Sequence, residues 1–227
     1  MGACRIHFIR KRKWKKEKMK PIIVINLKTY KSGKDVLKLA KSIGQADSKI
    51  ILGAQSTDIT RIAKEVRNPI YAQHVDFQKP GRNTGFILPE AVKDAGAKGV
   101  FLNHSEHRLD MNTIKKTVKR CNKLNLKIGI FAKNLNQALE LKKLKPDYLM
   151  IEPPELVAGK VSVSKAKPKL IEEIEKKLKY PFLVGAGIKG GEDVKIAMKL
   201  GASGIAISSA ITKSSNPRKA VLDLMRY

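Results

Sequence analysis

The apolar positions of the chain follow two alternating periods from Pro21 onward. Short runs rich in Ile, Val and Leu are typical of buried strands, and longer segments with apolar residues at i, i+3 and i+4 are typical of amphipathic helices. The pattern predicts strands at residues 22–27, 49–53, 69–73, 99–103, 127–131, 147–151, 181–184 and 204–207. It predicts helices at residues 34–43, 58–66, 89–95, 112–124, 135–144, 165–178, 192–200 and 217–225.

Eight strands, each followed by a helix, predict a single closed (β/α)8 barrel of the α/β class. We expect it to occupy residues 20–227, since the 227-residue chain has the length of one domain and 42% of its residues are apolar. No apolar run reaches the roughly 20 residues of a membrane-spanning helix, so no membrane partner is expected. Active sites of such barrels lie at the carboxyl ends of the strands.

Polar side chains stand at three of these strand ends. Asn26 and Lys28 end the first strand, and strand alternation would point both to the same side. His104 follows the fourth strand, before a Ser-Glu pair that could start a helix. Glu152 follows the sixth, where partial burial would favour a general base. Each feature alone is as well explained by a structural residue; their coincidence indicates a catalytic site.

The motifs Asn26-x-Lys28, His104-Ser105-Glu106 and Glu152-Pro153 resemble those of triosephosphate isomerase, in the same order and on the same strands. Longer stretches are similar to the short archaeal branch of that family, namely residues 19–31, 71–76, 102–106, 151–156 and 185–188. The resemblance implies the TIM barrel fold. It also implies an isomerase that interconverts dihydroxyacetone phosphate and D-glyceraldehyde 3-phosphate, with no cofactor and no metal.

The resemblance assigns roles to the residues that match. Glu152 would be the catalytic base, and neutral His104 would polarise the substrate oxygens. Lys28 would add positive charge, Asn26 would orient the substrate, and Glu106 would hold the site in place without touching the substrate.

The resemblance also implies a phosphate site and a loop at residues 153–164 that closes over it. The residues that bind the phosphate would be Val157, Gly159, Gly187, Ser208 and Ser209.

This chain departs from the family mainly around the phosphate. Ala158 and Lys160 flank the loop glycine, Lys189-Gly190 replaces a usual Ser or Thr, and Ala210 replaces a glycine. Whether these changes weaken phosphate binding stays open. The family's cysteine near the end of the fifth strand corresponds to Phe131.

The loop after the third strand resembles the family's interdigitating loop. Thr84 would reach the active site of a neighbouring subunit, so a homo-oligomer, dimer or tetramer, is expected.

The charge is unusual, with 47 Lys and Arg against 20 Asp and Glu, a net charge of +27. Residues 1–19 form a basic extension that we expect to be disordered. We interpret it as the product of a misassigned start, because Met19 directly precedes the first strand. A nucleic-acid-binding tail is one alternative, and a transit peptide is a weaker one because the stretch contains no Ser. Nucleic acid is not expected beyond nonspecific attraction.

Two other functions are compatible with the sequence. One is a different barrel enzyme acting on sugar phosphates, and the other is a catalytically drifted basic barrel that binds polyanions. Cys4 and Cys121 lie far apart in sequence, and Cys4 falls in the segment that we expect to be disordered. No structural disulfide is therefore expected, and both cysteines are expected as thiols in the cytoplasm.

Overall fold

The computed structural model describes residues 20–153, 168–185 and 187–227. Over these residues eight parallel strands close into a barrel in chain order, with β1 paired to both β2 and β8. The predicted (β/α)8 TIM barrel is therefore confirmed. The strands are β1 (Ile22–Asn26), β2 (Ile51–Ala54), β3 (Ile70–Ala72), β4 (Gly99–Leu102), β5 (Lys127–Ala132), β6 (Tyr148–Ile151), β7 (Phe182–Val184) and β8 (Gly204–Ile207).

Helices surround the barrel. Each longer helix buries one apolar stripe, as α1 does with Val36, Leu39, Ala40 and Ile43 at the spacing of one helix face. The described helices are α1 (Gly33–Ala46), α2 (Ile59–Ala63), α3 (Pro89–Asp94), α4 (Met111–Lys123), α5 (Leu135–Leu141), α6 (Pro168–Leu178), α7 (Gly191–Lys199), α8 (Ser209–Thr212) and α9 (Pro217–Leu224).

The core has two parts, one between the strands and the helices and one inside the barrel. The inner part consists of inward-pointing strand residues, namely Val24, Ile51, Tyr71, Phe101, Phe131, Met150, Leu183 and Ala206. Glycine makes room for the ring of Phe101: a Cβ atom on Gly53 would lie 2.7 Å from this ring, and one on Gly129 would lie 2.8 Å from it. The interior is thus filled with side chains and leaves no room for a ligand between the strands of the described barrel.

Some predicted elements extend beyond the observed ones by one or a few residues. The first strand ends at Asn26, one residue early, because Lys28 turns the chain with a φ of 50°. The helix predicted at residues 58–66 is a 3-10 turn (Ser56–Asp58) followed by the short α2.

The basic extension at residues 1–19, Cys4 within it, and residues 165–167 of the predicted sixth helix lie outside the described residues. Cys121 is a buried free thiol. Among the helices that the structure describes, none is both long and apolar enough to cross a membrane.

Candidate active site

The turn after β1 brings Asn26 and Lys28 to the mouth of the barrel. Oδ1 of Asn26 accepts hydrogen bonds from the backbone N–H of Lys28 (3.0 Å) and from Nε2 of Gln73 (3.1 Å). Gln73 also donates to the carbonyl of Lys28 at 3.0 Å. Both predicted residues line the same cleft, as expected. The cause is this hydrogen-bonded turn and not strand alternation, since the strand has already ended.

A second turn, after β4, presents His104. Asn103 has a φ of 61°, and its side chain donates to the carbonyl of Phe131 (2.8 Å) and accepts from the N–H of Leu109 (3.0 Å). Arg108 donates to the carbonyl of Asn103 at 2.7 Å. These bonds hold a left-handed conformation that asparagine tolerates better than most residues.

The hydrogen bonds of His104 determine its tautomer. Nδ1 accepts from the backbone N–H of Glu106 at 3.1 Å, so the proton of the neutral imidazole is on Nε2. The expectation that Ser105 and Glu106 start a helix was wrong, because α4 begins only at Met111. A single backbone N–H in the turn takes the place of the predicted helix terminus.

The surroundings of His104 favour its neutral form. Burial lowers the pKa of the imidazole below its usual value, and the charge of Lys28 lowers it further. The carboxylates of Glu152 and Glu106 act in the opposite direction without reversing the shift. His104 can therefore donate a hydrogen bond through Nε2 at neutral pH without carrying a charge.

Glu152 lies directly after β6 and is almost completely buried, with 9% of its side chain exposed. Its Oε2 accepts a hydrogen bond from Ser105 (2.9 Å) and lies 3.4 Å from Nε2 of His104. A Cβ atom on Gly185 would come within 3.4 Å of Oε1, so the missing side chain leaves space around the carboxylate. The arrangement places a potential proton acceptor next to a neutral imidazole donor.

Lys28 is oriented by Glu106. The ammonium lies 2.6 Å from Oε1 of Glu106, and 14% of the Lys28 side chain is exposed against 58% of the glutamate. The other oxygen of Glu106 is 3.8 Å from Nδ1 of His104. Glu106 thus contacts two of the residues that face the cleft and can position both.

These groups border one open cleft of about 480 Å³. The ring of Phe131 forms part of its wall and packs edge-on against His104, with 4.7 Å between ring centroids. The lining residues are Asn26, Lys28, Tyr30, His104, Phe131, Glu152, Gly187, Ile188, Lys189, Ala206, Ile207, Ser208, Ser209, Ala210 and Lys213. All four residues predicted as catalytic are included.

Part of the predicted phosphate site lines the same cleft, namely Gly187, Ser208 and Ser209. Gly187 has a φ of 69°, and two residues later the backbone N–H of Lys189 donates to Asp193 at 2.9 Å. Ser208 precedes α8, and its hydroxyl is buried with no hydrogen-bond partner among the described residues. Ser209 is the next residue. Val157, Gly159 and the altered positions Ala158 and Lys160 lie outside the described residues.

Three residues that shape this site had no predicted role. Ser105 binds the Glu152 carboxylate, Gln73 joins the turns after β1 and β3, and Asn103 holds the turn that carries His104. Their position at strand ends was visible in the sequence. Their partners were not, since Ser105 and Glu152 are 47 residues apart.

The buried histidines predict an acid-sensitive stability. Burial lowers the pKa of both His104 and His74, against a usual value of 6.5. Below pH ~6.5 the folded state then binds fewer protons than the unfolded state. The contribution of the two neutral histidines to the free energy of unfolding is therefore complete above pH ~6.5, and it is lost as the pH falls through their folded pKa values. We expect urea unfolding to give a lower free energy at pH 5.5 than at pH 7.5. His104→Gln should reduce that difference, and equal values in the wild type would contradict the assignment.

The structure is that of a TIM-barrel protein, a closed (β/α)8 barrel with a carboxylate, a neutral imidazole and an ammonium around one cleft at its strand ends. The family model for triosephosphate isomerase matches residues 21–227. The chain therefore belongs to the triosephosphate isomerase family.

Individual relatives agree with this result. Triosephosphate isomerase of Saccharolobus solfataricus is 46% identical over 90% of this chain and 95% of its own length, and that of Metallosphaera sedula is 42% identical over 90% and 94%. The enzyme of Methanocaldococcus jannaschii is 39% identical over 91% and 99%. The fold is similar to the crystal structure of triosephosphate isomerase from Bartonella henselae, with a TM-score of 0.72 at 19% identity, covering 92% of this chain and 100% of that one.

Proposed function

We propose that this chain interconverts dihydroxyacetone phosphate and D-glyceraldehyde 3-phosphate through an enediolate, as an isomerase of glycolysis and gluconeogenesis. The observation that carries the proposal is the buried Glu152 carboxylate, 3.4 Å from Nε2 of His104 at the mouth of the barrel. The similarity to named isomerases over about 90% of the chain supports the same reaction.

Glu152 is the base in this mechanism. Its carboxylate takes a proton from the carbon next to the substrate carbonyl; the electrons of that C–H bond form the carbon–carbon double bond, and the π electrons of the carbonyl move onto its oxygen to give the enediolate. The hydroxyl proton then passes from one oxygen of the enediolate to the other, and the protonated Glu152 returns a proton to the neighbouring carbon as the new carbonyl forms. Burial supports the role because the surrounding side chains keep bulk water away from the carboxylate and from the intermediate. Ser105 keeps one carboxylate oxygen in place through its hydrogen bond.

His104 and Lys28 stabilise the negative oxygens of the enediolate. Nε2–H of His104 faces the cleft because Nδ1 is occupied by a backbone N–H. The Lys28 ammonium is positioned in advance by Glu106, so little reorganisation is needed when charge develops. Asn26, beside Lys28, contributes a polar side chain that orients the substrate.

Gly187, Ser208 and Ser209 bind the phosphate in this proposal. The Ser208 hydroxyl, which has no hydrogen-bond partner among the described residues, lines the same cleft as Glu152. So do Lys189 and Lys213, whose positive charge suits a dianionic group. Val157 and Gly159 belong to the same proposal on the strength of the sequence resemblance.

Residues 20–227 act as one catalytic domain in this proposal, and the enzyme works in the cytoplasm without a metal or cofactor. The basic extension at residues 1–19 has no part in catalysis.

A coupled assay that follows glyceraldehyde 3-phosphate formation tests the function. It should be run on the full chain and on protein started at Met19, because the extension is not expected to change turnover. A weakened phosphate site would appear as a raised KM with little change in kcat. Absence of turnover in both proteins would refute the proposal.

The same family resemblance leads us to propose a homo-oligomer, dimer or tetramer. The loop between Asp76 and Ile87 projects from the barrel and is closed at its base by two hydrogen bonds between these residues, of 2.8 Å and 2.7 Å. Its tip exposes Thr84 and nearly half of Phe86. A second cavity of about 250 Å³ lies beside Lys28 and provides a place for a partner's loop.

Light scattering coupled to size exclusion should give at least twice the mass of one chain. Replacing Thr84 and Phe86 together with lysine should shift the protein to monomer, because charge would then have to be buried at the interface. The matched control is a pair of lysines placed at exposed Leu222 and Tyr227, which should leave the mass unchanged. A wild-type chain that is monomeric and fully active would contradict the proposal.

A further inference from the structure

The solvent face of α4 carries only positive charge. Lys115, Lys119 and Lys123 follow each other at intervals of four residues and are all exposed. They form a row about 12 Å long at 1.5 Å rise per residue. Lys116 lies beside the row, with its ammonium 4.9 Å from the ring centroid of Phe77.

This helix contains no acidic residue, unlike the other helices of comparable length in the described part of the chain. Lysine carboxylate pairs occur on α6, where Lys177 meets Glu173, and on α9, where Lys219 meets Asp223, both at 2.6 Å. Lys41 on α1 reaches Glu65 at 2.7 Å. No carboxylate of the described residues pairs with the three lysines of the row.

The row costs the isolated helix some stability. Like charges four residues apart repel, by roughly 0.2–0.5 kcal/mol per pair. Arg120 on the flank of the helix does not relieve the row, since its own partner is Glu90. A bound polyanion would offset the repulsion between the lysines, because each lysine would be attracted to its negative charges.

Two observations point to one kind of polyanion. The apolar face of α4 is buried in the barrel through Ile114, Val118 and Cys121, so the helix has no apolar side left to insert into a membrane. The helix also exposes no aromatic ring on which unpaired bases could stack. A regular row of lysines instead matches the dense, repeating charge of a duplex backbone.

We propose that the solvent face of α4 binds the phosphate backbone of double-stranded nucleic acid, without sequence preference, as a second activity of this chain. Lysines act here as point charges that contact phosphates and do not read bases. The three lysines are not among the residues that line the catalytic cleft, so the two activities are separable.

The test measures binding of a fluorescent 24-base-pair DNA duplex by anisotropy between 50 and 200 mM salt. Three full-length proteins are compared: the wild type, the Lys115→Gln/Lys119→Gln/Lys123→Gln variant, and a control with Lys41→Gln/Lys177→Gln/Lys219→Gln. Both variants lose three charges, so the summed field of the protein falls equally. The basic extension is present in all three proteins, so its contribution to duplex binding is the same in each and does not affect the comparison.

We expect the α4 variant to bind at least about tenfold more weakly at 100 mM salt, with a log–log salt slope smaller by about 2 to 3, since each lost phosphate contact removes about 0.9. The control should lose less than threefold. Isomerase activity should be unchanged in both variants, which separates this result from a failure of the proposed function. Equal weakening of the two variants, no duplex binding even at 50 mM salt, or tighter binding to phosphatidylserine vesicles than to the duplex would each overturn the proposal.

Discussion

The Glu152→Gln variant is expected to lose at least about 10³-fold in kcat, because an amide cannot accept the proton that the proposed mechanism removes. Glutamine has the same shape as glutamate and can still accept the hydrogen bond that Ser105 donates to Oε2. The backbone N–H of residue 152 bonds to the carbonyl of Ala132 at 2.9 Å and is untouched by the change. The loss therefore reports on the proton transfer and not on the geometry of the site.

Stability should move in the other direction. Only 7% of Glu152 is exposed, and a buried amide costs less free energy than a buried carboxylate, so the melting temperature should be equal or higher. Circular dichroism measures the melting temperature, and the coupled assay measures kcat. Ser105→Ala is the matched control: it removes one hydrogen bond and leaves the base, so its activity should fall much less. Turnover of Glu152→Gln within tenfold of wild type would show that another residue is the base.

The Gly204→Ala variant is expected to have the largest effect on stability. Gly204 on β8 pairs with Ile22 on β1, at the seam that closes the barrel. A Cβ atom at this position would lie 2.0 Å from the carbonyl oxygen of Ile22 and 2.7 Å from its nitrogen. Because both atoms are backbone, no side chain can move aside and the strands must separate. We expect a loss of about 3 kcal/mol or failure to fold.

Urea or thermal unfolding measures this loss, which for a chain of this size corresponds to roughly 6–12 °C in Tm. Gly190→Ala is the control, because its backbone is extended, with a φ of −164°, and no atom lies within 4 Å of the added Cβ. It should change stability by less than about 0.5 kcal/mol. Equal Tm values for the two variants would mean that the seam tolerates a side chain, contrary to its geometry.

The eight strands and most of the helices could be predicted because each depends on a local pattern. Short runs of β-branched apolar residues such as the one at β1 favour buried strands, and the apolar stripe of α1 favours an amphipathic helix. Boundaries were less predictable. Lys28 ends the first strand through a positive φ that is held by Asn26 and Gln73, and no local rule announces that contact.

The proposed site could be located from sequence because a parallel barrel brings all strand ends to one rim. Asn26, Lys28, His104 and Glu152 were predicted on that basis, together with the family motifs, and the structure places all four around one cleft. The environment of His104 was only half predicted. Its neutral state was expected, but the bond to Nδ1 comes from the N–H of Glu106 and not from a helix terminus.

The sequence by itself determined the order of elements, the excess of positive charge and the residue types at the rim, because these depend on neighbours along the chain. Only the tertiary structure decided which of those residues touch. Lys28 and Glu106 are 78 residues apart yet form a 2.6 Å ion pair, and the ring of Phe131 meets His104 from the adjacent strand. Such contacts depend on how the barrel closes and on its register, which are set by all eight strands together.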